Sequence, residues 1–232
     1  MTHAILITGA SRGIGLELAK QYAGKGWRVF ACCRNPQGAD QLGWLAGGSS
    51  GAVTIHRLDV TETRQIRALA DELRDEKIDI LFNNAGTGNP DEQGFGQADE
   101  ADWIEAFKVN TIGPMKMAEA FVNQVTRSGR KVMAVMSSVM GSITNNSSGE
   151  YYIYRSSKAA VNMVMKSIAV DLEPKGVISV CFHPGWVRTE IGGPHAPLSP
   201  EESVKGIRKV LDLLDHEDNG KFLTYEGREL PW

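Results

Sequence analysis

The chain has 232 residues, of which 42% are hydrophobic and 23% are charged, and its formal net charge at pH 7 is -3. This length supports one sizeable hydrophobic core, so we expect a single domain over residues 1–232. The weak negative charge, without blocks of one sign, argues against a nucleic-acid partner. No apolar segment approaches the roughly 20 residues of a membrane span, and the chain leads directly into a strand, so we expect a cytoplasmic protein without a membrane partner.

The most informative stretch runs from Ala4 to Gly15 and reads AILITGASRGIG. An apolar run leads into three glycines, and an amphipathic helix is predicted from Ile14 to Ala23. Gly9 lets the chain turn sharply, Gly13 lets backbone N–H groups approach a pyrophosphate, and Gly15 permits close packing of helix on strand. Such spacing also occurs in structural turns, but the flanking strand and helix favour a dinucleotide site.

The second predicted strand, Trp27–Cys32, bears on the choice of dinucleotide. In this kind of site an acidic residue after the strand binds the ribose hydroxyls, whereas an arginine accommodates a 2′-phosphate. Here the strand is followed by Arg34, and Arg12 adds a second cation in the glycine turn. The pair favours NADP(H) over NAD(H), the alternative being two solvated surface arginines.

The remaining predicted strands and helices alternate along the chain. This alternation predicts an α/β fold, a doubly wound parallel sheet with helices on both faces and right-handed crossovers. The elements are helix Asp40–Ala46, strand Val53–Arg57, helix Arg64–Leu73, strand Ile78–Phe82, helices Ala101–Val109 and Pro114–Thr126, strand Lys131–Met136, helix Tyr151–Leu172, strand Val177–Phe182, helix Pro200–Leu214 and strand Lys221–Thr224.

Polar and small residues follow several of these strands, where a parallel sheet binds its ligand. Asp59 is placed to accept a hydrogen bond from an adenine amino group, or to help begin the next helix. The run Asn83–Gly86 suits a ligand crevice, although it also resembles a plain turn. The polar segment Thr87–Asp99 is expected to border the substrate entrance, and loop Gly141–Glu150 to fold over the site.

Tyr154 and Lys158 stand four residues apart, on one face of the predicted helix. A nearby cation favours the phenolate form and lowers the pKa of a tyrosine, so the pair can transfer a proton to or from a carbonyl oxygen. Ser138, after the neighbouring strand, can donate a hydrogen bond to the same oxygen. Asn110 lies in an apolar helical pattern, where its amide must find polar partners.

Together these motifs resemble the classical short-chain dehydrogenases/reductases over essentially the whole chain. The segment after the sixth strand, His183–Glu190 with Gly192–Gly193, and the C-terminal stretch Tyr225–Trp232 are similar to the C-factor and sniffer-type carbonyl reductases. The resemblance rests on Thr8–Gly15, Asn83–Gly86, Asn110, Ser138, Tyr154–Lys158 and Pro184–Gly185.

The resemblance implies a Rossmann fold with a catalytic tetrad, in which Asn110 holds a water that links Lys158 to solvent. The tetrad is Asn110, Ser138, Tyr154 and Lys158. The interval from Ser138 to Tyr154 is slightly longer than usual, which keeps Ser137 as a second candidate for the serine. The expected cofactor-binding residues are Gly9, Ser11, Arg12, Gly13, Ile14, Gly15, Arg34, Asp59, Val60, Asn84, Ala85, Gly86, Tyr154, Lys158, Pro184, Gly185, Val187 and Thr189.

The expected activity is NADPH-dependent reduction of a carbonyl compound, with Tyr154 as the proton donor. Trp186 and Phe95 are candidate apolar walls of a fairly open pocket, which leaves aldehydes, ketones, quinones and small steroids as substrates. An NAD(P)H-binding regulatory protein with little turnover is the alternative. The resemblance and the apolar helix after Tyr154 favour a homodimer or homotetramer.

The cysteines and histidines show no disulfide or metal-binding pattern. Cys32 and Cys33 are adjacent and Cys181 stands alone, which predicts reduced thiols packed as small hydrophobic side chains. The five histidines lack the spacing of metal ligands, so no metal is expected.

Overall fold

A parallel sheet organises the molecule in a computed structural model that describes residues 2–88 and 94–232. Its strands are β1 (Ala4–Thr8), β2 (Arg28–Cys33), β3 (Val53–Arg57), β4 (Ile80–Asn83), β5 (Val132–Met136), β6 (Ile178–His183) and β7 (Phe222–Thr224). Within the described residues their order is β3-β2-β1-β4-β5-β6-β7, and every pair is parallel. The predicted doubly wound sheet is confirmed.

Helices cover both faces of this sheet. They are α1 (Gly13–Ala23), α2 (Asp40–Gly47), α3 (Thr63–Glu72), α4 (Glu100–Phe107), α5 (Gly113–Thr126), α6 (Tyr152–Leu172) and α7 (Pro200–Leu213). One core packs α1, α2 and α7 on the sheet, and the other packs α3, α5 and α6 on the opposite face. No helix of the described residues has both the length and the apolar character needed to cross a membrane.

The strand order places a crevice between β1 and β4. These strands are neighbours, although the chain forms β2 and β3 before it returns to β4. The connections on either side of this point lead to opposite faces of the sheet, which opens a gap at the carboxyl ends of the strands. The residues after β1, β4, β5 and β6 therefore meet at one edge.

Two helix boundaries differ from the sequence prediction. α4 and α5, predicted with residues 110–113 between or within them, are joined by a π-helical turn, Lys108–Ile112. A π-turn takes in one extra residue, which the 3.6-residue periodicity of the sequence does not reveal. α6 begins at Tyr152 rather than Tyr151, because Tyr151 has the left-handed φ of 52°.

The remaining predicted elements are present, with ends shifted by up to two residues. Of the predicted polar segment Thr87–Asp99, residues 89–93 lie outside the described residues, and so does that part of the expected substrate entrance.

Candidate active site

The glycine turn after β1 leaves no room for side chains. A Cβ on Gly15 would lie 2.2 Å from the carbonyl oxygen of Gly9 and 2.5 Å from Nδ2 of Asn84. Gly9 itself has φ of 68°, and a Cβ there would lie 2.8 Å from Cα of Ala85. The turn and the start of α1 are thus pressed against the residues after β4.

The N-terminus of α1 opens toward the crevice. Arg12 precedes the helix, and no side chain caps it. Ser11 and Ile14 are half-buried beside the turn. The first N–H groups of a helix have no partner within it, and with the positive end of the helix dipole they suit an anion.

Asn84 acts as a clamp between β1 and β4. Its Nδ2 donates to the carbonyl oxygens of Thr8 and Gly9, at 3.1 Å each. The Thr8 hydroxyl in turn accepts from the backbone N–H groups of Asn84 and Ala85, at 3.0 Å each. The amide of Asn84 is therefore engaged in holding the crevice together, and the backbone of Ala85 and Gly86 lines it.

The two arginines of the sequence prediction differ in their surroundings. The Arg12 side chain is 70% exposed and forms an ion pair with Glu190, from the loop after β6. Arg34 follows β2 directly and is exposed.

Asp59 and Val60 lie after β3 at the far side of the crevice. Oδ1 of Asp59 accepts from the backbone N–H of Thr61 at 3.0 Å and from its hydroxyl at 2.8 Å. Asp59 is not the residue that caps α3, since Glu62 precedes that helix. Val60 is buried against α5, where a Cβ on Gly113 would lie 3.1 Å from Cβ of Val60.

Ser138 and Tyr154 come together at the end of β5. The two side chains are hydrogen-bonded, and the Ser138 hydroxyl also accepts from the N–H of Met140 at 3.2 Å. Ser137 points elsewhere, since its buried hydroxyl donates to Oδ1 of Asn162 at 2.6 Å. Of the two candidate serines, Ser138 is the one beside Tyr154.

Lys158 is buried beneath this pair. Its Nζ donates to the carbonyl oxygen of Met136 at 2.9 Å and lies 5.6 Å from the ring centroid of Tyr154. A Cβ on Gly86 would lie 3.5 Å from Nζ of Lys158 and 3.2 Å from Oδ1 of Asn110. Lys158 and Asn110 therefore converge under the backbone that follows β4.

Asn110 is held in the π-helical turn and is only 1% exposed. Its Oδ1 accepts from the N–H of Thr87 at 2.9 Å. Its Nδ2 donates to the carbonyl oxygen of Thr87 at 2.9 Å and to the Ser157 hydroxyl at 3.0 Å. The polar partners expected for the Asn110 amide are therefore supplied by the loop after β4 and by helix α6.

Burial shifts the titration of the site. It raises the pKa of Tyr154, and the hydrogen bond with Ser138 acts in the opposite direction. Burial also lowers the pKa of Lys158 to about 8, partly opposed by the neighbouring Cys181. The expectation that Lys158 lowers the pKa of Tyr154 is wrong for the chain alone, because loss of solvent has the larger effect on the phenol.

The loop after β6 reaches back over the crevice. A Cβ on Gly13 would lie 3.3 Å from Cγ2 of Thr189, and a Cβ on Gly88 would lie 2.9 Å from Cγ2 of Ile191. Val187 is buried, and Gly185, after Pro184, has φ of 83° at the base of the loop. The predicted Pro184–Thr189 segment is therefore brought to the glycine turn.

Exposed aromatic side chains surround the mouth of the site. Trp186 is 58% exposed, and its Nε1 donates to the carbonyl oxygen of Gly192 at 2.7 Å. Phe95 is 92% exposed and contacts Tyr152 edge-on, with ring centroids 6.4 Å apart. His183, at the end of β6, has a buried Nδ1 without a hydrogen-bond partner in the described residues, and burial lowers its pKa to about 4.

Sequence reasoning missed several residues that hold the site in place. Asn162 lies one helical turn after Lys158, and this spacing could have identified it from the sequence. No local pattern marks Ser157 as a partner of Asn110. Arg155 binds the loop before α6, donating to the carbonyl oxygens of Gly149 and Glu150 at 3.0 and 3.1 Å. These pairings join distant parts of the fold or an irregular loop, so periodicity does not predict them.

The crevice fits a dinucleotide. A backbone cradle that Cβ atoms would fill, beside an uncapped helix N-terminus, matches what a pyrophosphate requires. The Cys32, Cys33 and Cys181 thiols are free and buried. Among the residues that the structure describes, no group of three or more His, Cys, Asp or Glu side chains could hold a metal ion.

Comparison with known proteins agrees with this geometry. The family model described as short chain dehydrogenase matches residues 3–197. The C-signal protein of Myxococcus xanthus is 39% identical over 167 residues, which are 72% of this chain and 100% of C-signal.

Solved structures give the same result. The carbonyl reductase Sniffer of D. melanogaster has a TM-score of 0.94 at 32% identity, with 100% of both chains covered. The NADPH-bound carbonyl reductase from chicken fatty liver has a TM-score of 0.93 at 32% identity, with 100% of this chain and 99% of that chain covered. This chain belongs to the short-chain dehydrogenase/reductase family, in its C-factor and Sniffer-like branch, and is an NAD(P)-dependent oxidoreductase.

Proposed function

We propose that this protein reduces an aldehyde or ketone to an alcohol at the expense of NADPH, with Tyr154 as the proton donor. The observation that carries the proposal is the meeting of the Tyr154 and Ser138 side chains above the buried Lys158 ammonium, which lies beside the Gly86 backbone after β4. Tyrosine, serine and lysine in this arrangement suit acid catalysis at a carbonyl oxygen.

The glycine turn and the N-terminus of α1 would hold NADPH, which would supply the hydride for the carbonyl carbon when bound. Tyr154 gives its phenolic proton to the carbonyl oxygen, and its raised pKa keeps that proton in place at neutral pH. Ser138 donates a hydrogen bond to the same oxygen as negative charge develops there. Lys158, whose pKa of about 8 leaves it mostly protonated at pH 7, stabilises the phenolate that remains.

Asn110 is proposed to hold the water through which Lys158 exchanges protons with solvent. Its amide is engaged with Thr87 and Ser157, and its π-helical turn is a feature often found at functional sites. Ser137 takes no part in the proposed reaction, because its hydroxyl donates its hydrogen bond to Oδ1 of Asn162.

The preference for NADP(H) rests on two exposed guanidinium groups. Arg34 follows β2, where the resemblance places the adenosine ribose, and Arg12 borders the glycine turn. Arginine binds phosphate through two parallel hydrogen bonds, and the family in question includes a relative solved with NADPH.

The substrate is proposed to be a small apolar carbonyl compound. Trp186, Phe95 and Tyr152 offer exposed aromatic surface at the mouth, and aromatic side chains contribute large apolar contact areas. We further propose a cytoplasmic, single-domain protein, a location with which three free buried thiols agree.

A homodimer or homotetramer is proposed from the outer face of α5 and α6. Met163 and Val170 are two turns apart on α6 and are 66% and 63% exposed, with Ile112 48% exposed at the start of α5. Burying such a face against a second copy removes apolar area from water. Analytical ultracentrifugation tests this, and a monomer at high protein concentration contradicts it.

A regulatory role with little turnover is the second candidate, and the match to C-signal favours it. The two candidates differ in one measurement, the consumption of NADPH with a panel of aldehydes, ketones and quinones. Turnover with any of them that is lost in Tyr154→Phe supports the reductase.

The same variant supplies the control, since Tyr154→Phe keeps the ring and should bind NADPH as the wild type does. General acid catalysis contributes a factor of about 10² to 10⁴, so its turnover should fall by that factor. Unchanged turnover in Tyr154→Phe eliminates the proposed proton donor. NADPH binding without any turnover across the panel shifts the assignment to the regulatory role.

A further inference from the structure

We propose that Glu190 sets the affinity for NADP(H), because its carboxylate competes with the cofactor's 2′-phosphate for the Arg12 guanidinium. This inference rests on the proposed use of NADPH. It assigns a specificity-determining role to an acidic residue outside the set of expected cofactor contacts.

The loop after β6 is braced so that Glu190 is held at its tip. The N–H of Gly193 donates to the carbonyl oxygen of Thr189 at 2.8 Å, and the N–H of Gly192 donates to the Thr189 hydroxyl at 3.1 Å. The indole N–H of Trp186 closes the base of the same turn on Gly192. The backbone position of Glu190 is therefore set by a closed turn.

Three successive residues of this turn contact segments that line the crevice. Thr189 packs on Gly13 and Ile191 packs on Gly88, while Glu190 pairs with Arg12 between them. The two flanking contacts hold the backbone of Glu190 beside the turn that precedes α1, within reach of Arg12. Glu190 therefore pairs with the Arg12 guanidinium, which is the positive charge proposed to bind the 2′-phosphate.

The ion pair is in direct competition with phosphate. Among the ion pairs of the described residues, Arg12 has Glu190 as its acidic partner, and both side chains are largely exposed, at 70% and 66%. A carboxylate on the Arg12 guanidinium takes up part of its N–H donors and repels a phosphate that approaches the same group, so binding of a 2′-phosphate by Arg12 favours release of Glu190.

The expected size of the effect follows from the exposure of the pair. Exposed ion pairs contribute little, so removing this competitor should tighten binding by about two- to fivefold rather than by orders of magnitude. The effect should shrink at high ionic strength, because salt screens both the ion pair and the phosphate contact. NADH lacks the 2′-phosphate and should respond less.

The test measures dissociation constants of NADPH and NADH by quenching of tryptophan fluorescence in the full chain. Glu190→Gln keeps the shape of the side chain and removes its charge. Glu201→Gln, on the first turn of α7, makes the same change of net charge at a residue without an ion pair to Arg12 and is the matched control. We expect tighter NADPH binding in Glu190→Gln, a smaller change for NADH, and wild-type constants in Glu201→Gln.

A double-mutant cycle with Arg12→Gln separates competition from a general charge effect. In the Arg12→Gln background, Glu190→Gln should leave the NADPH dissociation constant unchanged. Equal tightening of NADPH and NADH, or the same gain with and without Arg12, overturns the proposal, as does weaker NADPH binding in Glu190→Gln. Failure of the wild type to bind NADPH contradicts the proposed function instead, so the two failures are distinct.

Discussion

The crevice between β1 and β4 and the mouth of the site beside Tyr154 are built in opposite ways. In the crevice, Gly9, Gly15 and Asn84 are packed at contact distance, and backbone atoms meet hydrogen-bond partners across 75 or more residues. At the mouth, Trp186 and Phe95 are exposed, and the loop before α6 contains left-handed residues other than glycine. We therefore expect the crevice to set the class of reaction and the mouth to set the substrate.

Replacement of Lys158 by methionine gives the largest expected effect among variants that test this contrast. Lys158→Met should lower turnover about 10² to 10⁴-fold, because the phenolate of Tyr154 loses its cation. Binding of NADPH to the glycine turn should be affected far less. Steady-state kinetics with fluorescence titration measure both quantities, and near-normal turnover contradicts the assigned role.

The same variant should be more stable, because the native state keeps a buried ammonium. The pKa of Lys158 is about 8 in the folded chain and 10.5 when unfolded. Between these values the unfolded chain binds more protons, so the stability of the wild type rises from about pH 8 toward pH 10. Lys158→Met should lack this rise. Its free energy of unfolding, measured with urea at pH 7, should exceed that of the wild type by about 1–2 kcal/mol.

The two serines after β5 provide a matched pair. Ser138→Ala removes a hydrogen bond to the developing oxyanion and should lower kcat about 10²-fold with little loss of stability. Ser137→Ala leaves buried Oδ1 of Asn162 without this donor and should cost about 1–3 kcal/mol of unfolding free energy with kcat nearly unchanged. The reverse pattern would exchange the roles of the two residues.

A variant of Arg34 tests the proposed preference of the crevice for NADPH over NADH. Arg34→Gln should weaken NADPH binding about tenfold, the range of one charge-assisted phosphate contact, and leave NADH binding nearly unchanged. Arg57→Gln, an exposed residue at the end of β3, controls for the loss of one positive charge. Equal weakening of both nucleotides argues against a 2′-phosphate contact.

Tyr151 tests the mouth and should give the smallest effect. Its φ of 52° is unfavourable for a side chain with a Cβ, so Tyr151→Gly should raise the free energy of unfolding by up to about 1 kcal/mol. Tyr152→Gly, at the first position of α6, should destabilise the chain by about as much. A higher KM with kcat unchanged in Tyr151→Gly would place the ring against the substrate.

Sequence patterns alone predicted the strands well. Central parallel strands read as continuous apolar runs, and strand Ile78–Phe82 differs from the structure by two residues at its start. The edge strand Val53–Arg57 is partly polar and exposed, yet its predicted ends match the structure. The glycine spacing likewise predicted the turn, because only glycine tolerates the contacts of Gly15. The tetrad residues lie together, although their roles stay predictions.

What the sequence by itself determined about this protein is the fold class and the tight glycine turn after β1, since periodicity and glycine requirements are local properties. Only the tertiary structure decided that Ser138 rather than Ser137 faces Tyr154, that Asn110 lies in a π-helical turn, and that Glu190 pairs with Arg12. These outcomes depend on which distant segments approach one another. Burial of Tyr154 and Lys158 likewise arises from the packed fold, and it reverses the pKa shift expected from the tyrosine and lysine alone.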